Sequence, residues 1–273
     1  MIFLTVEYTV NNEIFSYNAE GARRWGDDKV LLHDATNLLA HSPFNNQGFL
    51  IEKLFPAGYY VNFSAAVHTL VRDLWRAAGI NVPDDFDLDQ YHTLADDPRI
   101  HLAALEKTKL LLVEMFPCGI ATLEQRISQI CGVPLEAYNP YDGQRIFHFR
   151  VVRPNSRDNN PLHRDVWLED FDNCINLYIP VAGSNNLSSL IIIPESQHWS
   201  ESRIERTIDG AVINGIKFNV PAVTAIRGSY TMVRPDPRAN EVLVFSPYLI
   251  HGGSVNLNPD RTRISIEIRL WKK

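Results

Sequence analysis

Beyond residue 140 the chain is a succession of short β-type runs, and this constrains its fold more than any other feature. Arg145–Val152 (RIFHFRVV), Ile175–Val181, Leu190–Ile193, Ile216–Val220, Glu241–Phe245 and Arg263–Leu270 are rich in β-branched, aromatic and other apolar residues. Turn formers separate them: Asn155, Gly183, Asn185-Asn186, Asn214-Gly215, Pro235, Pro237 and Asn258-Pro259. Short strands at this spacing predict a sandwich or barrel rather than βαβ units.

The first 140 residues read differently. Ile2, Leu4, Val6, Tyr8 and Val10 alternate and predict one half-buried opening strand. Helical patterns then dominate. Ser64 is a cap for a helix carrying Val67, Leu70, Val71 and Leu74 on one face, with Gly79 as its stop. Asp97-Pro98 is a cap followed by proline at the first helical position, and an amphipathic run continues to about Phe116. Thr122 and Gln125 form a capping-box pattern for a third helix that Gly132 ends. The expected fold class is mainly β with N-terminal helices (α+β). No linker rich in Gly, Ser or Pro divides the 273 residues. The expectation is therefore one domain, with 1–140 as a mostly helical brace that helps shape a pocket and 141–273 as the core.

Composition removes several classes of function. With 26 basic and 32 acidic residues the net charge is −6, which argues against a nucleic-acid binder with a broad cationic surface. No apolar run reaches the roughly 18–20 residues of a membrane span. The opening MIFLTVEYTVNNEIF alternates and carries Glu7, unlike a signal peptide. Cys118, Cys131 and Cys174 are odd in number with no close pairing, which predicts reduced thiols and a cytoplasmic protein. There is no glycine-rich phosphate loop, no G-x-S-x-G elbow and no C-x-x-C pair.

The residues that carry chemistry are His163, Asp165 and His251. His163-Arg164-Asp165 follows the polar loop NSRDNNPL, and alternation in an extended segment puts residues 163 and 165 on one face. His251 follows the apolar strand EVLVF and the turn SPYLI. Two histidines and a carboxylate fill one face of an octahedral metal and leave the other open, as in the facial triad of non-haem Fe(II) oxygenases. H-x-D alone is a weak signal, and a loop histidine beside a turn aspartate is the bland alternative. The sequence after His251 adds weight. In RISIEIRL, Ile264, Ile266 and Ile268 take one face of a strand, while Arg263, Ser265, Glu267 and Arg269 take the other. A guanidinium and a hydroxyl two residues apart on one face make a carboxylate clamp.

The order H-x-D, distal His, Arg-x-Ser resembles the Fe(II)/2-oxoglutarate-dependent oxygenases, and more narrowly their phytanoyl-CoA dioxygenase-like branch. The resemblance runs from about Arg145 to Leu270. It rests on NPLHRDVW, on NLYIPVAGSNNLSSLIIIPESQHW and on EVLVFSPYLIHGGSVNLNPDRTRISIEIRL. The turn Pro194-Glu195-Ser196-Gln197-His198 departs from the family's Pro-Gly-Ser-His, so His198 reads as part of a structural turn. The loop after His251 is one residue longer than is common, which makes Arg261 a competitor of Arg263 for the clamp. Asp260-Arg261-Thr262-Arg263 resembles the family's Asp-Arg-Pro-Arg, and Arg263 shares a face with Ser265, so Arg263 is preferred.

The resemblance implies a double-stranded β-helix (jelly roll, cupin-like). It implies Fe(II) on His163, Asp165 and His251, 2-oxoglutarate clamped by Arg263 and Ser265, and O₂ at the remaining position. The products would be succinate, CO₂ and a hydroxylated or otherwise oxidised small or medium polar metabolite, such as a sugar or a natural-product intermediate. Because Asp165 is retained, oxidation rather than halogenation is expected.

Other residues have two readings. Asn176 and Tyr178 share a strand face and either point inward to the 2-oxoglutarate, or lie outside while Ile175, Leu177 and Ile179 point in. Trp167, Arg150 and Arg227 are candidate substrate contacts. His148 also has a candidate role, with an ordinary strand position as its alternative. Histidines 33, 41, 68, 92 and 101 read as surface or satisfied core residues. Two rival functions stand beside the oxygenase. One is a cupin-type metal enzyme without 2-oxoglutarate, for which His148 is the nearest third histidine. The other is a non-catalytic jelly-roll carbohydrate binder.

Overall fold

The computed structural model describes residues 4–42, 45–155, 160–213, 215–252 and 255–273. Ile2 of the opening strand, Asn214 of one predicted turn and much of the NSRDNNPL loop lie outside the described residues. The strands are β1 (Leu4–Val10), β2 (Glu13–Glu20), β3 (Arg23–Trp25), β4 (Phe49–Lys53), β5 (Leu111–Leu112), β6 (Leu135–Glu136), β7 (Ile146–Val152) and β8 (Cys174–Ala182). They continue with β9 (Ile191–Ile193), β10 (Ile204–Thr207), β11 (Ala211–Ile213), β12 (Ile216–Phe218), β13 (Val223–Ile226), β14 (Glu241–Phe245), β15 (Ile250–Gly252) and β16 (Arg263–Lys272). Among the described residues the α-helices are α1 (Ala57–Ala77), α2 (Pro98–Thr108) and α3 (Ile120–Cys131), all in the N-terminal half. The fold is mainly β, with few helices.

The N-terminal half is richer in strands than the sequence predicts. Asn11 and Asn12 both adopt positive φ (51° and 65°) and join β1 to β2 in a two-residue hairpin, the turn geometry that matches strand twist. Strands β2, β3 and β4 then pair with β11, β10 and β14 of the C-terminal half. Strands β1 to β4 of this half are therefore woven into the sheets, three of them with strands of the C-terminal half.

The helices differ from expectation at their ends. Helix α1 starts at Ala57 behind Pro56, not at Ser64, because Tyr59, Tyr60 and Phe63 extend its apolar stripe by two turns. Helix α2 begins as predicted, with Asp97 accepting from the Arg99 amide at 2.8 Å, but stops at Thr108. Leu110 turns to positive φ (52°), and β5 joins the edge of β7. Helix α3 is bounded by glycines, with Gly119 before it and left-handed Gly132 after it, and Thr122 lies inside its first turn.

The longest sheet has the order β4-β14-β8-β16-β7-β5, with β6 on β16. One of its faces is apolar: Phe147, Phe149, Ile175, Leu177, Ile179, Ile264, Ile266 and Ile268 join Phe63, Val67, Trp75 and Leu123 of the helices in one buried cluster. That cluster takes up the sheet's hydrophobic face and leaves the alternate residues of each strand on the opposite side. There Tyr178, Leu243 and Phe245 meet Ile192 of β9. Strand β9 pairs with β15, and single bridges extend this ladder from His251 to His163 and from Ile192 to Val233. Gly183, in the turn after β8, has φ +60° and comes so close to the backbone before β16 that an added Cβ would lie 2.1 Å from the Thr262 carbonyl. A helix of the described residues long and apolar enough to cross a membrane is absent.

Candidate metal centre

Backbone pairing brings the two ligand segments together. His163 and His251 face each other in an antiparallel bridge with reciprocal N–H···O bonds of 2.8 and 2.9 Å. The Asp165 amide donates to the Pro247 carbonyl at 3.0 Å, which ties the carboxylate's own segment to the same neighbour. The ligand atoms of His163, Asp165 and His251 lie within 4.8 Å of one another, and all three residues are buried. His163 Nε2 is 3.2 Å from Asp165 Oδ1, and His251 Nε2 is 3.8 Å from Asp165 Oδ2.

The tautomers favour coordination. His163 Nδ1 is 2.7 Å from the Pro161 carbonyl and His251 Nδ1 is 3.1 Å from the Leu249 carbonyl. A carbonyl only accepts, so each Nδ1 carries the proton and each Nε2 presents its lone pair toward Asp165. Burial first, and the neighbouring His163 second, push His251 down to about 4, which keeps the ring neutral. Burial works against ionisation of Asp165, but the Arg269 guanidinium outweighs it and holds the carboxyl well below its usual range. Two imidazole nitrogens and one carboxylate in this arrangement are a donor set for a divalent transition metal.

Arg269 and Asn176 orient the carboxylate. Arg269 Nη2 lies 3.2 Å and Asn176 Nδ2 2.8 Å from the same oxygen, Asp165 Oδ2. The side chain of Asn176 points to the inner side, as one of the two sequence readings has it, but its amide is aimed at Asp165. Tyr178 shares that side, with its hydroxyl 2.7 Å from Ser184 Oγ and its ring 5.8 Å from the Arg263 guanidinium. Ile175, Leu177 and Ile179 face the helices instead.

A cavity of about 720 Å³ opens beside the three ligands and is lined also by Arg150, Asn176, Tyr178, Arg263, Glu267 and Arg269. Arg263 is 1 % exposed and donates to the Ser188 carbonyl at 2.9 Å, and Ser265 is buried on the same strand face. Arg261 is directed outward, with Nε 4.0 Å from Asp89 and a largely exposed side chain. Of the two competing arginines, only Arg263 reaches the cavity.

Two sequence candidates sit elsewhere, and His198 keeps the structural position read for it. Residues 165–167 form a 3₁₀ turn, so the alternation that would aim Trp167 into the pocket ends at Asp165. The Trp167 indole donates to Glu201 Oε2 at 2.9 Å and does not line the cavity. Arg227 lies on the Trp25 ring, 3.9 Å from its centroid, and donates to the Ser202 carbonyl, also away from the cavity. His198 is exposed on its turn. Arg150 does line the cavity and pairs with Glu267 at 3.0 Å. His148 lines it too, but lies outside the three-residue cluster, and its Nδ1 accepts from the Leu110 amide at 3.0 Å.

Sequence reasoning missed two supports. One is Arg269 on Asp165. The other is Arg164, fully buried between the two ligands of the H-x-D segment, which pairs with Glu201 and donates to the Ser196 carbonyl. Ser196 Oγ in turn accepts from the Ile250 amide at 2.8 Å, next to His251. This chain of contacts links both ligand segments through one buried guanidinium.

No family model and no curated protein matches the chain. Solved structures resemble it distantly. AviO1 from Streptomyces viridochromogenes Tue57 is 16% identical over 88% of this chain and 96% of its own, with a TM-score of 0.49. The non-heme alpha ketoglutarate dependent epimerase SnoN from nogalamycin biosynthesis is 10% identical over 87% of this chain and 83% of its own, with a TM-score of 0.48. EctD from S. alaskensis is 13% identical over 93% of this chain and 85% of its own, with a TM-score of 0.46. Identities and TM-scores this low do not place the chain among those proteins.

Proposed function

We propose that the chain is an Fe(II)- and 2-oxoglutarate-dependent oxygenase built on a jelly-roll core. The observation that carries the reading is the buried His163–Asp165–His251 cluster sharing one cavity with the buried Arg263. The strand order supports the core. The first and last core strands, β7 and β16, are neighbours in one sheet, while the His163 segment, β15, β9 and the Val233 segment form a second ladder. This is how a jelly roll interleaves its strands.

His163, Asp165 and His251 would hold the iron, which when bound supplies the activation of O₂. The chain's own residues prepare the site. The Pro161 and Leu249 carbonyls fix the imidazole tautomers. Arg269 and Asn176 keep Asp165 ionised and oriented. The Phe245 ring, 4.9 Å from the His251 ring, shields that ligand from water. Arg263 and Ser265, on the β16 face that also carries Arg269, would bind the far carboxylate of 2-oxoglutarate while its 2-oxo acid end faces the ligands. Tyr178 walls this part of the cavity. Arg150 lines the same cavity and would meet a substrate there.

The test is succinate formation from 2-oxoglutarate by Fe(II)-loaded protein in air. The reading expects oxygen-dependent succinate that His251→Ala abolishes. A folded, iron-loaded protein that forms none contradicts it and leaves a metal enzyme of another kind or a binding module.

A further inference from the structure

The chain is acidic, with a net charge of −6, yet the described charged residues that line its cavity are mainly basic. Among the described residues five cationic side chains and two carboxylates line it. Arg269 is matched by Asp165 and Arg150 by Glu267, at 3.2 and 3.0 Å. Arg263 is buried and donates to the Ser188 carbonyl. That leaves Lys109 and Arg153 on the wall nearest helix α2. A bound Fe(II) and a 2-oxoglutarate dianion cancel each other, so the charges of Lys109 and Arg153 persist in the loaded enzyme.

Three further observations describe this wall. Arg153 is fixed, with Nη1 donating to the carbonyls of Ala95 and Asp96 at 2.9 and 3.3 Å, acceptors that leave its charge uncompensated. Lys109 is half exposed at the rim, with Glu106 3.6 Å away on the solvent side. His148 receives the Leu110 amide on Nδ1, so its Nε2 carries the proton and is a donor. Burial pushes both His148 and His101 down to about 4; Glu267 opposes this at His148, while nearby cations (Arg269, Arg150 and Lys109 for the first, Arg153 and Lys109 for the second) act in the same direction as burial. The wall is thus rich in donors and poor in acceptors. The same cavity is also lined by apolar side chains: Leu102 and Leu105 of α2, and Ile216 and Phe218 of β12.

We propose that the cavity selects an organic anion, a carboxylate or phosphate on a partly apolar body, with its charged group on Arg153, Lys109 and the His148 Nε2–H. Oxidation of such a molecule rests on the oxygenase reading, but its binding does not. A neutral polyol would leave the cationic wall unmatched, and an amine would be repelled by it.

The test is a ligand-observed NMR titration of the full chain, Zn(II)-loaded and metal-free, with matched probes: 3-phenylpropanoate, phenyl phosphate, 3-phenylpropanol and 3-phenylpropylamine. At least one anion should bind about tenfold or more tightly than the alcohol and the amine. Which anion wins separates carboxylate from phosphate chemistry. Arg153→Gln and Lys109→Gln should each weaken that anion several-fold, Arg153→Lys should restore most of the preference, and Lys107→Gln on the outer face of α2 should change nothing. The anion should still bind in excess 2-oxoglutarate. No preference for an anion, including no binding by any probe, overturns the proposal. So does anion binding indifferent to Arg153→Gln and Lys109→Gln, or anion displaced by 2-oxoglutarate. If the anion binds as expected but no succinate forms from 2-oxoglutarate, the oxygenase reading fails and the anion site stands.

Discussion

Asn176 and Asp165 are joined by a hydrogen bond of 2.8 Å from the amide Nδ2 to Oδ2, which turns the other carboxylate oxygen, Oδ1, toward His163 Nε2. A strand residue in the middle of β8 thereby sets the orientation of a metal-ligand carboxylate on a separate turn. Removing a neutral donor of this kind alters orientation without altering charge. Asn176→Ala should weaken divalent metal binding by about 10-fold or more, read by titration with Mn(II) or Co(II). Unchanged affinity would show that the bond does not position the ligand.

The Arg164–Glu201 pair is buried on both sides, and Trp167 also donates to Glu201. Removing Arg164 leaves the buried Glu201 with only the more distant Arg206, whose Nε is 3.7 Å away, and removing Glu201 leaves the Arg164 charge uncompensated in the interior. Arg164→Met should therefore cost about 3–5 kcal/mol in urea denaturation, and Arg164→Met combined with Glu201→Leu should cost less than the two single changes added together. Additive losses would mean that the two side chains do not act as a pair.

Glu267 gives a pH-dependent contribution. Burial opposes its ionisation, but the Arg150 guanidinium outweighs this and holds the carboxyl down at about 2. A carboxylate depressed on folding stabilises the protein above its unfolded value near 4.5 and loses that contribution as pH falls toward 2. The side chain is about 30% exposed to the cavity, so the effect is moderated by solvent. The Tm advantage of wild type over Glu267→Gln should be present at pH 6 and shrink between pH 4.5 and 3. An advantage that stays constant over that range would contradict the assignment.

Gly183 is required by backbone contact. Its φ of +60° and the 2.1 Å that would separate an added Cβ from the Thr262 carbonyl leave no room for a side chain beside the strand that carries Arg263. Gly183→Ala should destabilise by about 1–3 kcal/mol in thermal or urea unfolding and should weaken 2-oxoglutarate binding through Arg263. Wild-type values for both would mean that the turn relaxes freely.

What could be read in the sequence was whatever local periodicity encodes. Alternation placed His163 and Asp165 together, and alternation in RISIEIRL separated Arg263 from the helix-packed isoleucines. It failed at Trp167, because a 3₁₀ turn begins at Asp165 and breaks the two-residue period. The hairpin between β1 and β2 had a local signal in Asn11-Asn12, which accept positive φ, and in the alternation of Phe15, Tyr17 and Ala19 with Ser16, Asn18 and Glu20. Neither face of β8 could be chosen from sequence, since both are composed of residues that can be buried; the helices decide it by covering Ile175, Leu177 and Ile179. The bond from Arg269 to Asp165 spans 104 residues and the one from Arg164 to Glu201 spans 37. Contacts of that kind arise from strand pairing and leave no mark in local spacing.

If the three ligands and Arg263 serve one iron-chelating co-substrate, the most direct test is an anaerobic titration of Fe(II)-loaded protein with 2-oxoglutarate. The titration follows the weak visible charge-transfer band of the chelate in wild type and in Arg263→Ala. The expected result is a saturable band in wild type that needs at least about tenfold more 2-oxoglutarate in the variant. A folded, iron-loaded wild type with no band, or a band equally strong at equal concentration in Arg263→Ala, would contradict the shared site.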